Sequence, residues 1–248
     1  MLITTLGTSH GDHTYCRFNS STLFESDPQS ILIDAGEPVN ALMIRKEKTF
    51  CALRAVFITH MHNDHVGGLP SLIKALIRYP VDGQHTTIFI PENGAEAIKP
   101  WLKAQHLPTE SPYFTFQTVH PGTIYQDDIF SVTAIGTQHI FSENEPASYA
   151  YLIECEGKKV LCTGDLRADF LDFPVIAKTE TIDLCLCEAT HYQPPQALPF
   201  LMESRFQRLI FNHVYNTWHG DGENRLKGFF SKLPYPVEVA HDGDEYLI

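Results

Sequence analysis

The feature that most limits the fold of this chain is a repeated pattern in which a short apolar run of strand type ends in a histidine or an acidic residue. Five residues stand in such places, and they are His60, His139, Asp165, Glu188 and His213. Strand ends in α/β folds meet at one edge, where functional sites usually lie. The pattern therefore predicts an α/β protein whose site collects residues that are far apart in the sequence.

Apolar residues at helical spacing lie between several of these runs, in EPVNALMIRKE, GLPSLIKALIRY, GAEAIKPWLKAQH, QALPFLMESRFQ and ENRLKGFFSKL. Pro100 predicts a kink or a break in the third of these helices. Strands and helices recur in both halves, and no linker, repeat or low-complexity segment separates them. We therefore predict a single α/β sandwich domain over residues 1–248.

Three imidazoles and one carboxylate lie within the segment HMHNDH, which directly follows the apolar run AVFIT. His60 and His62 are two residues apart just beyond a strand, so their side chains point to one side, and Asp64 and His65 follow on a turn. The two glycines after them let the chain enter the next helix without a Cβ clash. Four ligands this close cannot all bind one tetrahedral ion without strain, so the segment predicts two adjacent ions. A polar turn with helix-capping histidines explains a lone histidine but not this density.

A site of this kind needs further ligands from distant parts of the chain. His139, Asp165 and His213 each follow an apolar run, and a carboxylate such as Asp165 offers two oxygens to two cations. Other histidines compete for these places. We expect His120, which precedes a Pro-Gly pair, to lie in a turn and not at the site.

These motifs, in this order, resemble those of the metallo-β-lactamase superfamily, whose members carry HxHxDH, a later histidine, a bridging aspartate and a last histidine. The resemblance extends from LGTSHG to AHDGDEYLI. It implies a four-layer αβ/βα sandwich and two divalent metal ions, for which the donors favour Zn²⁺ and also suit Mn²⁺ or Fe²⁺. The implied ligand sets are His60, His62, His139 and Asp165 for one ion, and Asp64, His65, Asp165 and His213 for the other.

Two ions that share a carboxylate also share a water molecule, whose pKa falls far enough to provide hydroxide near neutral pH. We therefore predict a metal-dependent hydrolase that uses a metal-bridging hydroxide, with Asp64 among its catalytic residues. None of the six cysteines has a histidine at motif spacing, which argues against thiolate catalysis. Most of them lie in apolar runs, so we expect buried free thiols.

Two segments are similar to the RNase Z and cyclic-phosphate phosphodiesterase branch of the superfamily. LGTSHGDHTYCRFNSS resembles its N-terminal motif, and CEATH resembles a His-Glu-Ala-Thr motif in which Cys187 takes the place of the histidine. The resemblance implies substrate contacts for His10 and His191. His191 would act as a general acid toward the leaving oxygen, with Glu188 orienting it. An ordinary turn for His10 and a surface loop for His191 are the alternatives.

The charge of the chain bears on the substrate. A formal net charge of −12 and the lack of a Lys/Arg cluster argue against nucleic acid, because phosphate contacts dominate affinity for it. We expect a small-molecule substrate, namely a small or cyclic phosphodiester. The alternatives are tRNA 3′ processing, lactone or thioester hydrolysis, and a metal-binding protein without hydrolytic activity.

No apolar run approaches the roughly 20 residues that a membrane-spanning helix needs. The start of the sequence also lacks the basic and long apolar regions of a secretory signal. We therefore expect a cytoplasmic protein with no membrane partner. The superfamily resemblance favours a homodimer.

Overall fold

The strands expected from apolar runs are all present, and together with one strand that was not expected they form two seven-stranded sheets. The computed structural model describes residues 1–92, 94–140 and 142–248. Its chain divides into two units: unit 1 comprises Met1–Val119 and Asp242–Leu247, and unit 2 comprises His120–His241 and Ile248. Each unit contains one sheet with helices packed on it, so the predicted α/β class is confirmed. The prediction of a single domain stays a prediction.

The strands are β1 (Leu2–Gly7), β2 (Ser21–Ser26), β3 (Gln29–Ile33), β4 (Leu53–Phe57), β5 (Thr86–Ile90), β6 (Phe114–Thr118), β7 (Gly122–Gln126), β8 (Phe130–Thr137), β9 (Ser148–Cys155), β10 (Lys158–Cys162), β11 (Leu184–Ala189), β12 (Leu209–Val214), β13 (Val237–Val239) and β14 (Asp244–Leu247). The helices are α1 (Val39–Arg45), α2 (Asn63–Val66), α3 (Leu69–Arg78), α4 (Gly94–Ala104), α5 (Ile176–Thr179), α6 (Pro194–Met202) and α7 (Asp221–Phe229).

The sheet of unit 1 has the order β14-β1-β2-β3-β4-β5-β6. Strands β3 to β6 are parallel to one another, so the segments that follow β3 and β4 leave the sheet at the same edge. One face of the sheet packs against α1 and α3 through alternating apolar residues. This packing fixes the edge from which the HMHNDH segment starts.

The sheet of unit 2 has the order β13-β12-β11-β10-β9-β8-β7, with β10 to β13 parallel. Its helix-facing side forms an apolar cluster that includes Cys185 and Cys187. All six cysteines are free; four are buried, as expected, whereas Cys51 is partly exposed and Cys16 is exposed.

The local structure differs from the sequence-based expectations in three places. Helix α4 runs through Pro100 without a break, because buried Ile98 and Leu102 on either side pack in the same apolar cluster. Burying two such side chains contributes roughly 3–6 kcal/mol and offsets a proline cost of about 3 kcal/mol. Strand β7 was missed because most of its residues are exposed at the sheet edge and show no buried apolar alternation. The short helices α2 and α5 were missed as well, since single turns carry no periodic signal.

No helix in the part of the chain that the structure describes combines the length and the apolar character that a bilayer crossing requires.

Candidate metal centre

The HMHNDH segment of unit 1 leaves β4 and turns into α2, which begins after His62. His60 and His65 are buried and His62 is exposed. Close backbone packing holds this turn in place. A Cβ on Gly36 would lie 2.2 Å from the carbonyl oxygen of Asp64, and a Cβ on Gly68 would lie 2.7 Å from that of Gly36. Glycine is therefore required at position 68, as expected, because the backbone of Gly36 lies too close for a side chain there.

The four predicted ligands of this segment lie together, and we call them the unit 1 cluster (His60, His62, Asp64 and His65). His60 Nε2 is 3.0 Å from His62 Nδ1, and His65 Nε2 is 3.3 Å from Asp64 Oδ2. The rings of His60 and His65 lie 4.1 Å apart between centroids. Both Nε2 atoms therefore face other ligand atoms of the cluster.

A buried carboxylate, Asp34, sets the protonation of these rings. Its Oδ2 is 2.7 Å from His65 Nδ1 and accepts a hydrogen bond of 3.1 Å from Thr59 Oγ1. A carboxylate only accepts, so His65 Nδ1 carries the hydrogen. The Thr59 hydroxyl donates its one hydrogen to Asp34, so it accepts a hydrogen bond from His60 Nδ1 at 3.0 Å. Neutral His60 and His65 therefore carry their hydrogen on Nδ1 and turn the Nε2 lone pair toward the other ligand atoms of the cluster, which is the tautomer in which histidine binds a metal through Nε2.

Sequence reasoning missed Asp34. It directly follows β3, and β3 lies beside β4 in the sheet. The signal was present in ILIDAG, another apolar run that ends in an acid. Asp34 also adopts a left-handed backbone with φ 61°, which is uncommon for a residue with a side chain and aims the carboxylate at Thr59.

Unit 2 gathers a second set of predicted residues around Asp165, and we call it the unit 2 cluster (His139, Asp165, Glu188, His191 and His213). Asp165 is buried in the loop after β10. Its Oδ2 is 3.7 Å from His139 Nε2 and 3.7 Å from His191 Nδ1, and its Oδ1 is 3.5 Å from His213 Nδ1. Both carboxylate oxygens therefore face imidazoles, as a bridging ligand requires.

A β-bulge directs His213 toward Asp165. The pairing of β11 and β12 shifts between Glu188 and Ala189, which leaves His213 as the extra residue. His213 has φ 49°, and its carbonyl oxygen accepts from Thr190 Oγ1. Bulges of this kind re-aim a side chain at the edge of a sheet and are common beside active sites.

Glu188 is a buried acceptor at the end of β11. Its Oε1 accepts from Leu166 N at 2.6 Å, and its Oε2 accepts from Thr190 N and from His191 N. The same Oε2 lies 2.9 Å from His191 Nδ1. Glu188 therefore orients the His191 ring as expected and places the hydrogen on Nδ1. The His191 side chain is 30% exposed, the most accessible of the unit 2 cluster.

The donors of both clusters suit a divalent metal. In unit 2, Asp165, Glu188, His191 and His213 offer ligand atoms that all lie within 4.8 Å of one another. In unit 1, the Nε2 atoms of His60 and His65 lie beside His62 Nδ1 and the Asp64 carboxylate. Imidazole nitrogen and carboxylate oxygen are donors that Zn²⁺, Mn²⁺ and Fe²⁺ accept.

Other residues singled out in the sequence lie outside these clusters. Cys187 points into the apolar cluster of unit 2, with Sγ 3.5 Å from the Tyr192 hydroxyl, and Tyr192 is itself buried and donates to the Glu188 carbonyl. His120 pairs with Glu145 on the surface.

His10 is buried in the loop after β1, where its Nδ1 accepts from Asp12 N at 3.4 Å. A backbone N–H only donates, so neutral His10 carries its hydrogen on Nε2. The substrate contact expected for His10 is compatible with this tautomer.

Comparison with known proteins defines the class. The chain aligns with the metallo-β-lactamase fold protein YhfI from Bacillus subtilis at a TM-score of 0.77 and 21% identity, over 99% of both chains. It aligns with the short form of human tRNase Z at a TM-score of 0.77 and 20% identity, over 100% of this chain and 99% of that one. The predicted metallo-β-lactamase fold is therefore confirmed.

Sequence comparison places the chain within that class. A ribonuclease Z from Crocosphaera subtropica is 33% identical over 142 residues, which cover 56% of this chain and 45% of that protein. The chain thus matches less than half the length of this relative. The family model described as anti-Pycsar protein Apyc1 matches residues 1–196. The chain belongs to this Apyc1 family.

Proposed function

We propose that the chain is a metal-dependent hydrolase of a small or cyclic phosphodiester, with two divalent ions held by ligands from both clusters. The proposed ligands are His60, His62, His139 and Asp165 for one ion, and Asp64, His65, Asp165 and His213 for the other. The observation that carries the proposal is the tautomer of His60 and His65, which Asp34 and Thr59 fix with the hydrogen of each ring on Nδ1, so that each Nε2 is the atom that would bind a metal.

When bound, such ions generate a nucleophile from water near neutral pH and stabilise charge that develops on a phosphoryl group. The chain's own residues supply orientation. Asp34 holds the rings of His60 and His65, and Glu188 holds the ring of His191. These fixed positions reduce the reorganisation that the reaction requires.

Proton transfer to the leaving oxygen falls to His191 in this proposal. Its Nδ1 is bonded to the Glu188 carboxylate, so a protonated His191 has Nε2–H left to donate. Its partial exposure lets a substrate reach the ring. His10, with hydrogen on Nε2, would donate a second hydrogen bond to a phosphate oxygen.

The acidic chain supports a small substrate. With a net charge of −12, the protein would repel a long polyanion unless a local basic surface compensated. The second candidate is tRNA 3′ processing, which the 33% identity to a ribonuclease Z favours. Both candidate functions involve cleavage of a phosphodiester, and they differ in the substrate that the enzyme must bind, a small molecule or a tRNA precursor.

The test is a substrate panel with Zn²⁺-loaded protein. Bis-p-nitrophenyl phosphate measures phosphodiester cleavage, and 3′,5′-cyclic AMP, a tRNA precursor and a lactone separate the candidates. We expect cleavage of the first two and no cleavage of the lactone. Cleavage of the tRNA precursor alone would replace the small-molecule proposal with the second candidate.

His62→Ala and Asp165→Ala are the matched variants, one from each cluster. Loss of bis-p-nitrophenyl phosphate cleavage in both supports the joint centre. Full activity in either variant would show that its cluster takes no part.

A further inference from the structure

The loop between β1 and β2 has an unusual exposure pattern. Residues 10–16, which we call the Tyr15 loop, begin at buried His10 and are followed by buried Arg17. Between these ends, Tyr15 reaches a relative exposure of 104%. A side chain that is wholly in water does not stabilise the fold by packing. The presence of an aromatic ring at this position therefore indicates a role other than packing.

The loop borders the unit 1 cluster. A Cβ built on Gly11 would lie 3.9 Å from Asp64 Oδ2, so the loop backbone runs past this carboxylate. His13, also on the loop, packs edge-on against Phe18 at 5.8 Å between centroids. A substrate whose phosphate reached Asp64 would therefore have this loop beside it.

Hydrogen bonds between the loop and the residues that flank it fix its shape. Ser9 N donates to Phe18 O at 2.7 Å, and Thr14 N donates to Arg17 O at 2.9 Å. Ser9 Oγ donates to Asp12 O at 2.6 Å, and Asn19 Nδ2 donates to His10 O at 3.0 Å. These bonds to the flanking residues hold the loop in one conformation.

A buried network, the Arg17 anchor (Thr8, Arg17, Phe18 and Asp242), ties the loop to the other end of the chain. Arg17 is 1% exposed and donates from Nη1 to Thr8 Oγ1 at 2.6 Å. Asp242 Oδ1 accepts from Thr8 N and Oγ1, and Oδ2 accepts from Phe18 N at 2.6 Å. A binding surface that is already ordered loses less entropy when it takes a ligand.

We propose that the Tyr15 loop is a substrate-recognition loop and that Tyr15 stacks on an aromatic ring of the phosphodiester, such as a nucleobase. This inference rests on the proposed function. Tyrosine offers a large flat surface and restricts only two side-chain torsions on binding. Stacking is also a neutral interaction, which an acidic protein can use to hold the organic part of an anionic substrate.

Calorimetric titration of the Zn²⁺-loaded protein tests this inference with two probes. One is the hydrolysis-resistant Rp-phosphorothioate of 3′,5′-cyclic AMP, and the other is 1-O-methylribose 3′,5′-cyclic phosphate, which has no base. We expect Tyr15→Ala to weaken the first probe by at least ~5-fold, the lower end for loss of one base–aromatic stack. The base-free probe should bind equally to Tyr15→Ala and to the wild type.

Two further variants make the result specific. Tyr15→Phe keeps the ring and should bind the first probe within about 2-fold of the wild type. Tyr79→Ala removes another exposed tyrosine of unit 1, at the end of α3, and should change neither affinity. Tyr79→Ala thus controls for the loss of an exposed ring as such.

Several results would overturn the inference. These are equal binding of the first probe by Tyr15→Ala and the wild type, equal weakening of both probes, or no binding of the first probe by the wild type. Light scattering adds one more: a change of oligomeric state in Tyr15→Ala with unchanged affinity would assign Tyr15 to a contact with a second copy.

A parallel hydrolysis assay separates this inference from the proposed function. If binding depends on Tyr15 but the wild type does not hydrolyse 3′,5′-cyclic AMP, the proposed function is wrong and the inference about Tyr15 stands. If the wild type hydrolyses 3′,5′-cyclic AMP and Tyr15→Ala does not change the KM, the inference about Tyr15 is wrong and the proposed function stands.

Discussion

The two clusters are built in different ways. The unit 1 cluster comes from one turn after one strand, with all four ligands within six residues. The unit 2 cluster draws its residues from near the ends of β8, β10, β11 and β12, and one of them needs a β-bulge to reach Asp165. Both nevertheless rely on a buried carboxylate that orients an imidazole, Asp34 in unit 1 and Glu188 in unit 2. Ligand spacing differs, whereas the means of holding a ring is the same.

The largest expected effect is at Asp165, because three histidines face its two oxygens. We expect Asp165→Ala to lower kcat/KM for bis-p-nitrophenyl phosphate by more than ~10⁴-fold, beyond what proton transfer alone contributes. Elemental analysis should show a loss of bound metal. Retention of both metal and activity would remove Asp165 from the centre.

The next effect concerns His191, which has no counterpart in the unit 1 cluster. If it is the general acid, His191→Gln should lower kcat by ~10²-fold or more, the usual contribution of a positioned acid, while the metal content stays unchanged. Measurement of kcat and of metal per chain checks both parts. Loss of metal in this variant would make His191 a ligand and not the acid.

Asp34→Asn tests whether the two orienting carboxylates do the same work. Oδ2 of Asp34 accepts from His65 Nδ1 and Thr59 Oγ1, and Oδ1 accepts from Thr59 N, so asparagine, with one acceptor oxygen, cannot keep the bonds on both sides. We expect Zn²⁺ affinity to fall by about 10–100-fold, the range for partners behind metal ligands. Glu188→Gln is the matched variant in unit 2. If Zn²⁺ affinity falls in only one of the two variants, the two carboxylates do not have the same role.

The Arg17 anchor adds a pH dependence beside the unit 1 cluster. Burial raises the pKa of Asp242 above its ordinary value, although hydrogen bonds from Thr8 and Phe18 and the charge of Arg17 act in the opposite direction. The folded state therefore holds this proton to a higher pH than the unfolded state, so the contribution of Asp242 to stability falls as pH rises between the two pKa values. Urea unfolding measures the free energy of unfolding of the wild type and of Asp242→Asn across this pH window. As pH rises, the wild type should lose stability relative to Asp242→Asn.

A group with the opposite sign serves as the comparison for that experiment. A hydrogen bond from Lys48 lowers the pKa of Glu245, so its contribution is present above its unfolded pKa and is lost as pH falls through its folded pKa. Glu245→Gln should therefore shift the pH profile in the other direction. Parallel profiles for the two variants would contradict the assignment for Asp242.

The smallest effect is expected at His241, a surface histidine outside both clusters. Its Nε2 pairs with Glu223 Oε1 at the surface, and the side chain is 53% exposed. We expect His241→Ala to change the free energy of unfolding by less than about 0.5 kcal/mol and to leave metal content unchanged. A loss of metal in His241→Ala would extend the centre beyond the two clusters.

The difference between the clusters also explains what could be predicted. His60, His62, Asp64 and His65 were predicted from spacing alone, because a local motif carries its own geometry. In unit 2, four residues were singled out as strand ends and His191 from a motif resemblance, since strand order and the bulge at His213 depend on pairing that one segment does not encode. Asp34 and Thr59 were missed because a single acid after a strand is common and its partner is known only from the fold.

The most direct test of the two-ion centre is metal stoichiometry. The purified chain is stripped with a chelator, titrated with Zn²⁺, and followed by elemental analysis together with bis-p-nitrophenyl phosphate cleavage. We predict two ions per chain, with cleavage absent from the stripped protein and complete only at the second equivalent. Saturation at one ion or fewer, or cleavage that survives metal removal, would contradict the proposal.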